Sequence, residues 1–155
     1  MINLIRTNSD DPDFIQLVKK LDADLAIRDG ADHTFYSQFN KIDKIKHTVV
    51  AYENNRPVGY GAMKEFMPDS MEMKRMYTAP EGRGKGIATA ILTELEKWAS
   101  ELSYKSCVLE TGKRQPEAIN LYKKNGYLNI PNYGQYIGVE NSVCFKKDLI
   151  NERFA

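Results

Sequence analysis

The chain has 155 residues, of which 42% are hydrophobic and 10% aromatic, and its 22 basic and 21 acidic side chains give a formal net charge of +1. This length and apolar content exclude global disorder and predict a single domain over residues 1–155. A charge so close to zero argues against a general binder of nucleic acid or acidic lipid, which would need a large basic excess.

The first half of the chain predicts one helix among several strands. Apolar residues recur every three or four positions from Phe14 to Leu25, with Asp11 as the candidate N-cap, which indicates an amphipathic helix. The irregular, aromatic stretch 29–46 follows and is typical of a specificity loop. The strand-like runs are residues 2–6, 47–53, 57–65 and 71–78. The second and third of these runs predict a hairpin.

The second half contains the strongest periodic signal of the sequence. Apolar residues keep helical spacing from Ile87 to Leu102, and a shorter helix is predicted from Pro116 to Gly126. The strand-like runs are residues 106–110, 127–130, 133–139 and 142–149. The resulting order of strands and helices predicts an α+β fold, in which helices flank a mixed central β-sheet.

Signals for membranes, metals and disulfides are missing from the sequence. No run approaches the roughly 18 consecutive apolar residues of a membrane span, and the N-terminus turns polar too early for a secretory signal, so we expect a cytoplasmic protein. With only two histidines, His33 and His47, there is no metal-ligand spacing, and we expect no metal. Cys107 and Cys144 lie in apolar runs and are expected to be buried thiols.

A glycine-rich loop, residues 83–88, joins a predicted strand to the longest predicted helix. Gly84 and Gly86 remove Cβ atoms that would obstruct a ligand, so backbone N–H groups can converge on an anion at the helix N-terminus. A phosphate or pyrophosphate is the expected occupant, and Arg83 and Lys85 add positive charge. The spacing fails the Walker A pattern and matches the dinucleotide-binding pattern only poorly.

Two motifs in the second half of the chain resemble those of the GNAT superfamily of acyl-CoA-dependent N-acyltransferases. The motif R/Q-x-x-G-x-G/A is matched in the loop, and A-x-x-L-Y-x-x-x-G-[FY] follows in the shorter helix. The matching residues are Arg83, Gly86 and Ala88, then Ala118, Leu121, Tyr122, Gly126 and Tyr127. The resemblance implies the fold of that superfamily and an acetyl-CoA-dependent N-acetyltransferase.

The resemblance also implies where coenzyme A would bind. Backbone amides of the loop would hold its pyrophosphate, and the pantetheine arm would pair with the edge of the strand before the loop. The N–H of Met76 would face the thioester carbonyl oxygen, where negative charge develops. The residues that the resemblance assigns to the cofactor are Met76, Tyr77, Thr78, Arg83, Gly84, Lys85, Gly86, Ile87, Ala88 and Asn120.

Direct attack of an amine on a thioester needs a sink for the amine proton and a proton donor for the leaving thiolate. By resemblance, Tyr122 is the candidate general acid and Glu72 the candidate base, with Glu110 in reserve. Two plainer interpretations stay open, namely that Tyr122 is a packing residue of its helix and that Glu72 is a solvated strand residue.

The acceptor is expected at aromatic residues of the early loop and the late strands. They are Phe35, Tyr36, Phe39, Tyr133 and Tyr136. An aromatic lining with few fixed charges is compatible with three acceptors: a small-molecule amine, an amino-acid derivative and a peptide terminus. The sequence also leaves open whether the protein forms a homodimer. Two other functions compete: a non-catalytic acyl-CoA sensor, which would never liberate CoA, and an oxidoreductase that binds NAD through the loop.

Overall fold

A computed structural model describes residues 2–29 and 45–149, with side chains for all of these except residues 21–29 and Arg75. The chain divides into two compact units, which we describe separately. The first comprises Met1–Lys64 and Lys74–Leu95, and the second comprises Glu65–Met73 and Glu96–Ala155. A single domain over residues 1–155 stays a prediction.

The described residues form a mixed sheet and three α-helices. The strands are β1 (Ile2–Thr7), β2 (His47–Glu53), β3 (Arg56–Met67), β4 (Ser70–Thr78), β5 (Ser106–Gly112), β6 (Leu128–Ile130) and β7 (Ser142–Asp148). The helices are α1 (Pro12–Asp29), α2 (Ile87–Glu101) and α3 (Pro116–Lys124). The sheet order is β1-β2-β3-β4-β5-β7-β6. Because β4 and β5 are parallel while β1–β2, β2–β3, β5–β7 and β6–β7 are antiparallel, the predicted mixed sheet is confirmed.

In the first unit, α1 begins where the sequence predicts. One carboxylate oxygen of Asp11 accepts hydrogen bonds from the backbone N–H groups of Asp13 (2.9 Å) and Phe14 (3.1 Å), as an N-cap does. The Phe14 ring then packs edge-on against Tyr60 of β3, with 4.9 Å between ring centroids. Capping and apolar spacing therefore place this helix on the core of the first unit.

The hairpin between β2 and β3 turns on two asparagines. Asn54 and Asn55 have φ angles of 52° and 66°, in the left-handed region that asparagine tolerates better than most residues. Two consecutive left-handed residues make a type I′ turn, whose twist matches that of the strands. The predicted hairpin is confirmed, and β3 begins at Arg56, one residue earlier than predicted.

Two glycines of β3, Gly59 and Gly61, allow α2 to lie directly on the strand. A Cβ atom on Gly61 would lie 2.6 Å from Ile91 Cγ2, 2.7 Å from Leu95 Cδ1 and 2.7 Å from Met76 Sδ. Real Cβ atoms do not approach other atoms so closely. The glycines therefore fix how near α2 comes to β3, and with it the position of the loop that precedes α2.

We expect Gly61→Ala to lower the free energy of unfolding by about 1–3 kcal/mol, the usual cost of overpacking a tight core. The added methyl group must displace the side-chain atoms of Ile91, Leu95 and Met76, because all three lie within 2.7 Å of its position. Urea unfolding followed by circular dichroism measures this change. An unchanged unfolding midpoint would contradict the tight packing of α2 on β3.

In the second unit, β5 lies between β4 and β7, and β6 pairs with the other edge of β7. Gly126 follows α3 with φ 89°, which confirms the predicted left-handed end of this helix. Cys107 and Cys144 are buried, as predicted. Burial raises the pKa of Cys107 to about 12 and that of Cys144 to about 11, so both thiols keep their protons at neutral pH.

The predicted strand over residues 133–139 is wrong. A 3₁₀ helix, Gly134–Tyr136, and a turn occupy this stretch, with φ angles of 53° at Gly134 and 80° at Gly138 that a strand does not allow. The side-chain amide of Asn132 donates to the carbonyl oxygens of Tyr136 (3.2 Å) and Val139 (3.1 Å). Glycine and asparagine chemistry thus overrides the aromatic, β-prone composition.

Among residues 2–29 and 45–149, no helix is long and apolar enough to cross a membrane. His33 and almost all of the predicted specificity loop lie outside the described residues.

Candidate functional site

The predicted anion-binding loop lies in the first unit, between a 3₁₀ helix, Pro80–Gly82, and the start of α2. Gly84 and Gly86 have φ angles of 80° and 76°, in the left-handed region that glycine enters without strain. Apart from the adjacent residues in the chain, no atom of residues 2–29 and 45–149 is recorded within 4 Å of the position that a Cβ would take on either glycine. The backbone conformation therefore favours glycine at both positions. The space that a side chain would occupy there is open.

The backbone N–H groups of this loop are a second feature that suits an anionic ligand. The N–H groups of Gly84 through Ala88 have no hydrogen-bond acceptor among the residues that the structure describes, and the first helical bond of α2 runs from Ala90 N to Gly86 O (3.0 Å). Unsatisfied N–H groups and the positive end of the helix dipole attract anions. Open space, free donors and dipole together fit a phosphate or pyrophosphate group.

The two cations of the loop have partners in the protein. Arg83 Nε donates to the carbonyl oxygen of Thr78 at 3.0 Å, and its guanidinium carbon lies 6.0 Å from the centre of the Tyr77 ring. Lys85 Nζ forms an ion pair with Glu53 Oε1 at 2.7 Å. Because Glu53 partly neutralises Lys85, the backbone amides are the principal anion-binding groups. The partner Glu53 could not be predicted from the sequence, because no motif links it to Lys85.

The end of β4 supplies the other cofactor residues that the resemblance assigns in this unit. The Tyr77 side chain is buried, with its ring 6.0 Å from that of Tyr60. Met76 directs its sulfur toward Gly61 and α2. Both side chains therefore serve packing, so contacts to a ligand would come from the backbone. The roles of Met76, Tyr77 and Thr78 stay predictions.

Two carboxylates lie on one face of the second unit. Glu72 is opposite Val108 in the parallel register of β4 and β5, and Glu110 follows Val108 by two residues, so both point to the same side of the sheet. Glu72 is 9% exposed, and its Oε2 accepts a hydrogen bond of 2.6 Å from the Tyr133 hydroxyl. Glu110 Oε2 accepts one of 2.7 Å from Ser142 Oγ. The plainer interpretation of Glu72 as a solvated residue is wrong.

Aromatic side chains surround these carboxylates. The Tyr133 ring lies 4.8 Å from that of Phe66 and packs edge-on to Tyr136 at 5.9 Å. Burial raises the pKa of Tyr136, and the negative charges of Glu110 and Glu72 raise it further. Tyr133 and Tyr136 therefore pack against each other beside more fixed charge than the sequence indicated, and their role in lining the acceptor site stays a prediction. Phe35, Tyr36 and Phe39 lie outside the described residues.

Tyr122 lies on α3 and is 6% exposed. Its ring is 5.8 Å from that of Tyr127 and 6.3 Å from that of Phe145. Burial raises the pKa of Tyr122, and the charge of Glu110 adds to the effect, so the phenol stays protonated at neutral pH. Asn120, two residues earlier on α3, is exposed. The position of Tyr122 serves packing and is also compatible with proton donation.

In the described part of the chain, no group of three or more His, Cys, Asp or Glu side chains could hold a metal ion.

The fold is that of the acyl-CoA N-acyltransferases. A Klebsiella pneumoniae structure described as a candidate acyl-CoA N-acyltransferase superposes with a TM-score of 0.81 at 26% identity, over 97% of this chain and 99% of that one. The chain belongs to the acetyltransferase (GNAT) family, whose family model matches residues 15–127. The resemblance inferred from the sequence is thereby confirmed.

Two relatives show how far the sequence similarity extends. An IAA acetyltransferase from Azospirillum brasilense is 29% identical over 137 residues, which cover 87% of this chain and 90% of that protein. An uncharacterized N-acetyltransferase from Schizosaccharomyces pombe is 34% identical over 76 residues, 48% of this chain. The aligned part spans 47% of that relative's length, about half of it.

Proposed function

We propose that the chain is an N-acetyltransferase that moves the acetyl group of acetyl-CoA to a primary amine by direct attack. The observation that carries this proposal is the loop before α2, whose open glycines and free amides suit a pyrophosphate. Acetyl-CoA, when bound, supplies an activated acetyl thioester. Membership of the acetyltransferase family supports this donor over NAD.

The amides of Gly84 through Ala88 would hold the pyrophosphate, with Arg83 and Lys85 adding charge at the rim of the loop. Met76, Tyr77 and Thr78 would accompany the pantetheine arm, as the resemblance implies, and the Asn120 amide would pair with the arm. None of these contacts requires a metal, since backbone donors and two cations already supply positive potential.

Glu72 would accept the proton that the amine loses as its nitrogen bonds to the acetyl carbon. Tyr122 would donate a hydrogen bond from its hydroxyl to the sulfur as the carbon–sulfur bond breaks, and the departing thiolate would take its proton from water. No covalent bond to the enzyme is needed, because the amine is itself the nucleophile. The buried position of Glu72 supports this role over the reserve candidate Glu110.

The acceptor would be an amine of a small molecule, an amino-acid derivative or a peptide. The carboxylates beside Tyr133 and Tyr136 favour an amine that arrives as an ammonium cation, because aromatic faces and carboxylates both attract ammonium groups. Such a cation would lose one proton to water before its neutral nitrogen attacks, and Glu72 would take the second proton as the carbon–nitrogen bond forms. A cytoplasmic location and a homodimer stay predictions.

The test is amine-dependent release of CoA. The purified chain is mixed with acetyl-CoA and tyramine, putrescine or glycylglycine, and the free thiol is measured with a chromogenic disulfide. The buried Cys107 and Cys144 add little to the signal, and a reaction without amine gives the background. Release that depends on the amine, with the acetylated product seen by mass spectrometry, supports the proposal.

Calorimetry with acetyl-CoA, combined with the thiol assay, separates the acetyltransferase from the non-catalytic acyl-CoA sensor. Binding without thiol release for any amine would indicate the acyl-CoA sensor. Absence of binding to any CoA species would contradict both proposals.

A further inference from the structure

We propose that Tyr133 is a positioning residue for Glu72, an inference that rests on the proposed function. Its hydroxyl donates a hydrogen bond of 2.6 Å to Glu72 Oε2, although the two residues are 61 positions apart in the sequence. A phenol that donates to a carboxylate forms a short, charge-assisted hydrogen bond, which is about twice as strong as a neutral one.

Tyr133 is itself held on several sides. The Phe66 and Tyr136 rings pack against its ring, at 4.8 Å and 5.9 Å between centroids. Its carbonyl oxygen accepts a hydrogen bond of 2.9 Å from Tyr136 N, which begins the 3₁₀ turn, and the Asn132 side chain closes the same turn. The hydroxyl is therefore presented by a rigid support, which is what a positioning group needs.

The hydrogen bond fixes the Glu72 carboxylate without removing its ability to accept a proton. An ionised carboxylate has about four lone-pair sites, and the hydrogen bond from Tyr133 uses one of them. Burial raises the pKa of Tyr133, and the charge of Glu72 raises it further. Tyr133 therefore stays protonated and remains a donor throughout the neutral range. Its role is to hold the base, while Glu72 touches the substrate.

The test compares Tyr133→Phe with Tyr104→Phe. Tyr104 also donates to a glutamate, Glu65, at 2.5 Å, so its variant removes the same kind of hydrogen bond outside the proposed site. With acetyl-CoA and tyramine, putrescine or glycylglycine, we expect Tyr133→Phe to lower kcat about tenfold or more, since small misplacements of catalytic groups can cost up to about a hundredfold. The KM for acetyl-CoA should change less than about twofold, and Tyr104→Phe should leave both constants unchanged.

A double-mutant cycle separates positioning from simple support of the fold. In a Glu72→Ala background there is no carboxylate to hold, so Tyr133→Phe should change kcat by less than about twofold. An equal loss of kcat in both backgrounds, or no loss in the wild-type background, would overturn the inference. Circular dichroism and urea unfolding of each variant check that the fold is kept.

The outcomes also separate this inference from the proposed function. Wild-type turnover that survives in Tyr133→Phe, or in Glu72→Ala, would overturn the positioning role and leave the acetyltransferase standing. A wild-type chain that releases no CoA with any of the three amines would contradict the proposed function, and the inference with it.

Discussion

Replacing Gly86 by valine is expected to abolish measurable binding of acetyl-CoA while the fold survives. The φ angle of Gly86 is 76°, and a residue with a Cβ pays about 1–2 kcal/mol in this region, more when it is β-branched. The backbone would relieve that strain by rotating, which would turn the amides of the loop away from a common point. The new side chain would also project into the open space where the ligand is proposed to lie.

Isothermal titration calorimetry with acetyl-CoA measures this effect, and we expect an affinity loss of about a hundredfold or more, since several backbone hydrogen bonds to a charged group are lost together. Gly138→Val is the matched control, because Gly138 has a φ angle of 80° and equally open surroundings but lies in the turn before β7. Both variants should lose similar stability. Normal binding by Gly86→Val, or equal losses of affinity in both variants, would contradict the role of the loop.

Replacing Tyr122 by phenylalanine is expected to lower kcat by tens of fold or more, with little change in affinity for acetyl-CoA. Burial raises the pKa of Tyr122, so its hydroxyl is a weaker acid than that of a free tyrosine. A thiol has an ordinary pKa of about 8.5, so complete transfer of the phenolic proton to a thiolate is unfavourable. Tyr122 would therefore act chiefly by a hydrogen bond that strengthens as charge develops on sulfur, and such donors contribute about 10²–10³ in rate.

Tyr127→Phe is the control for Tyr122→Phe. The Tyr127 ring lies 5.8 Å from that of Tyr122, and its hydroxyl donates to Glu96 Oε2 at 2.9 Å, so this variant also removes a buried phenolic hydroxyl. We expect it to lower the free energy of unfolding by about 1–3 kcal/mol and to change kcat by less than about twofold. Steady-state kinetics and urea unfolding measure both variants. Similar losses of kcat in the two would reduce Tyr122 to a packing residue.

The pH dependence of the wild-type rate tests whether the Tyr122 hydroxyl keeps its proton. Because the pKa of Tyr122 is raised above its ordinary value of about 10, the hydroxyl keeps its proton to higher pH than a free tyrosine. Ionisation of Tyr122 should therefore cause no loss of activity below about pH 10.

Sequence reasoning predicted the elements whose signals are local. Helix α1 was indicated by apolar spacing and by the cap at Asp11, and α2 by its long periodic run from Ile87. The loop before α2 was predicted because glycines at this junction are a compact, contiguous pattern. Gly84 and Gly86 adopt the left-handed backbone, which glycine enters without strain.

What the sequence could not predict depends on distant contacts. The pairs Tyr133–Glu72 and Lys85–Glu53 join residues 61 and 32 positions apart, and neither belongs to a motif. The error at 133–139 has a different cause: aromatic residues favour strands on average, but Gly134 and Gly138 set a tight turn there. Strand propensity is decided by context, which a single sequence does not contain.

The packing of α2 on β3 has a consequence for engineering this scaffold. Any side chain at Gly59 or Gly61 would collide with atoms 2.6–3.3 Å away, which would lift the helix and move the loop that it carries. Libraries aimed at new acceptors should therefore keep both positions as glycine. Diversity belongs instead at exposed positions such as Ile137, whose side chain is 71% exposed.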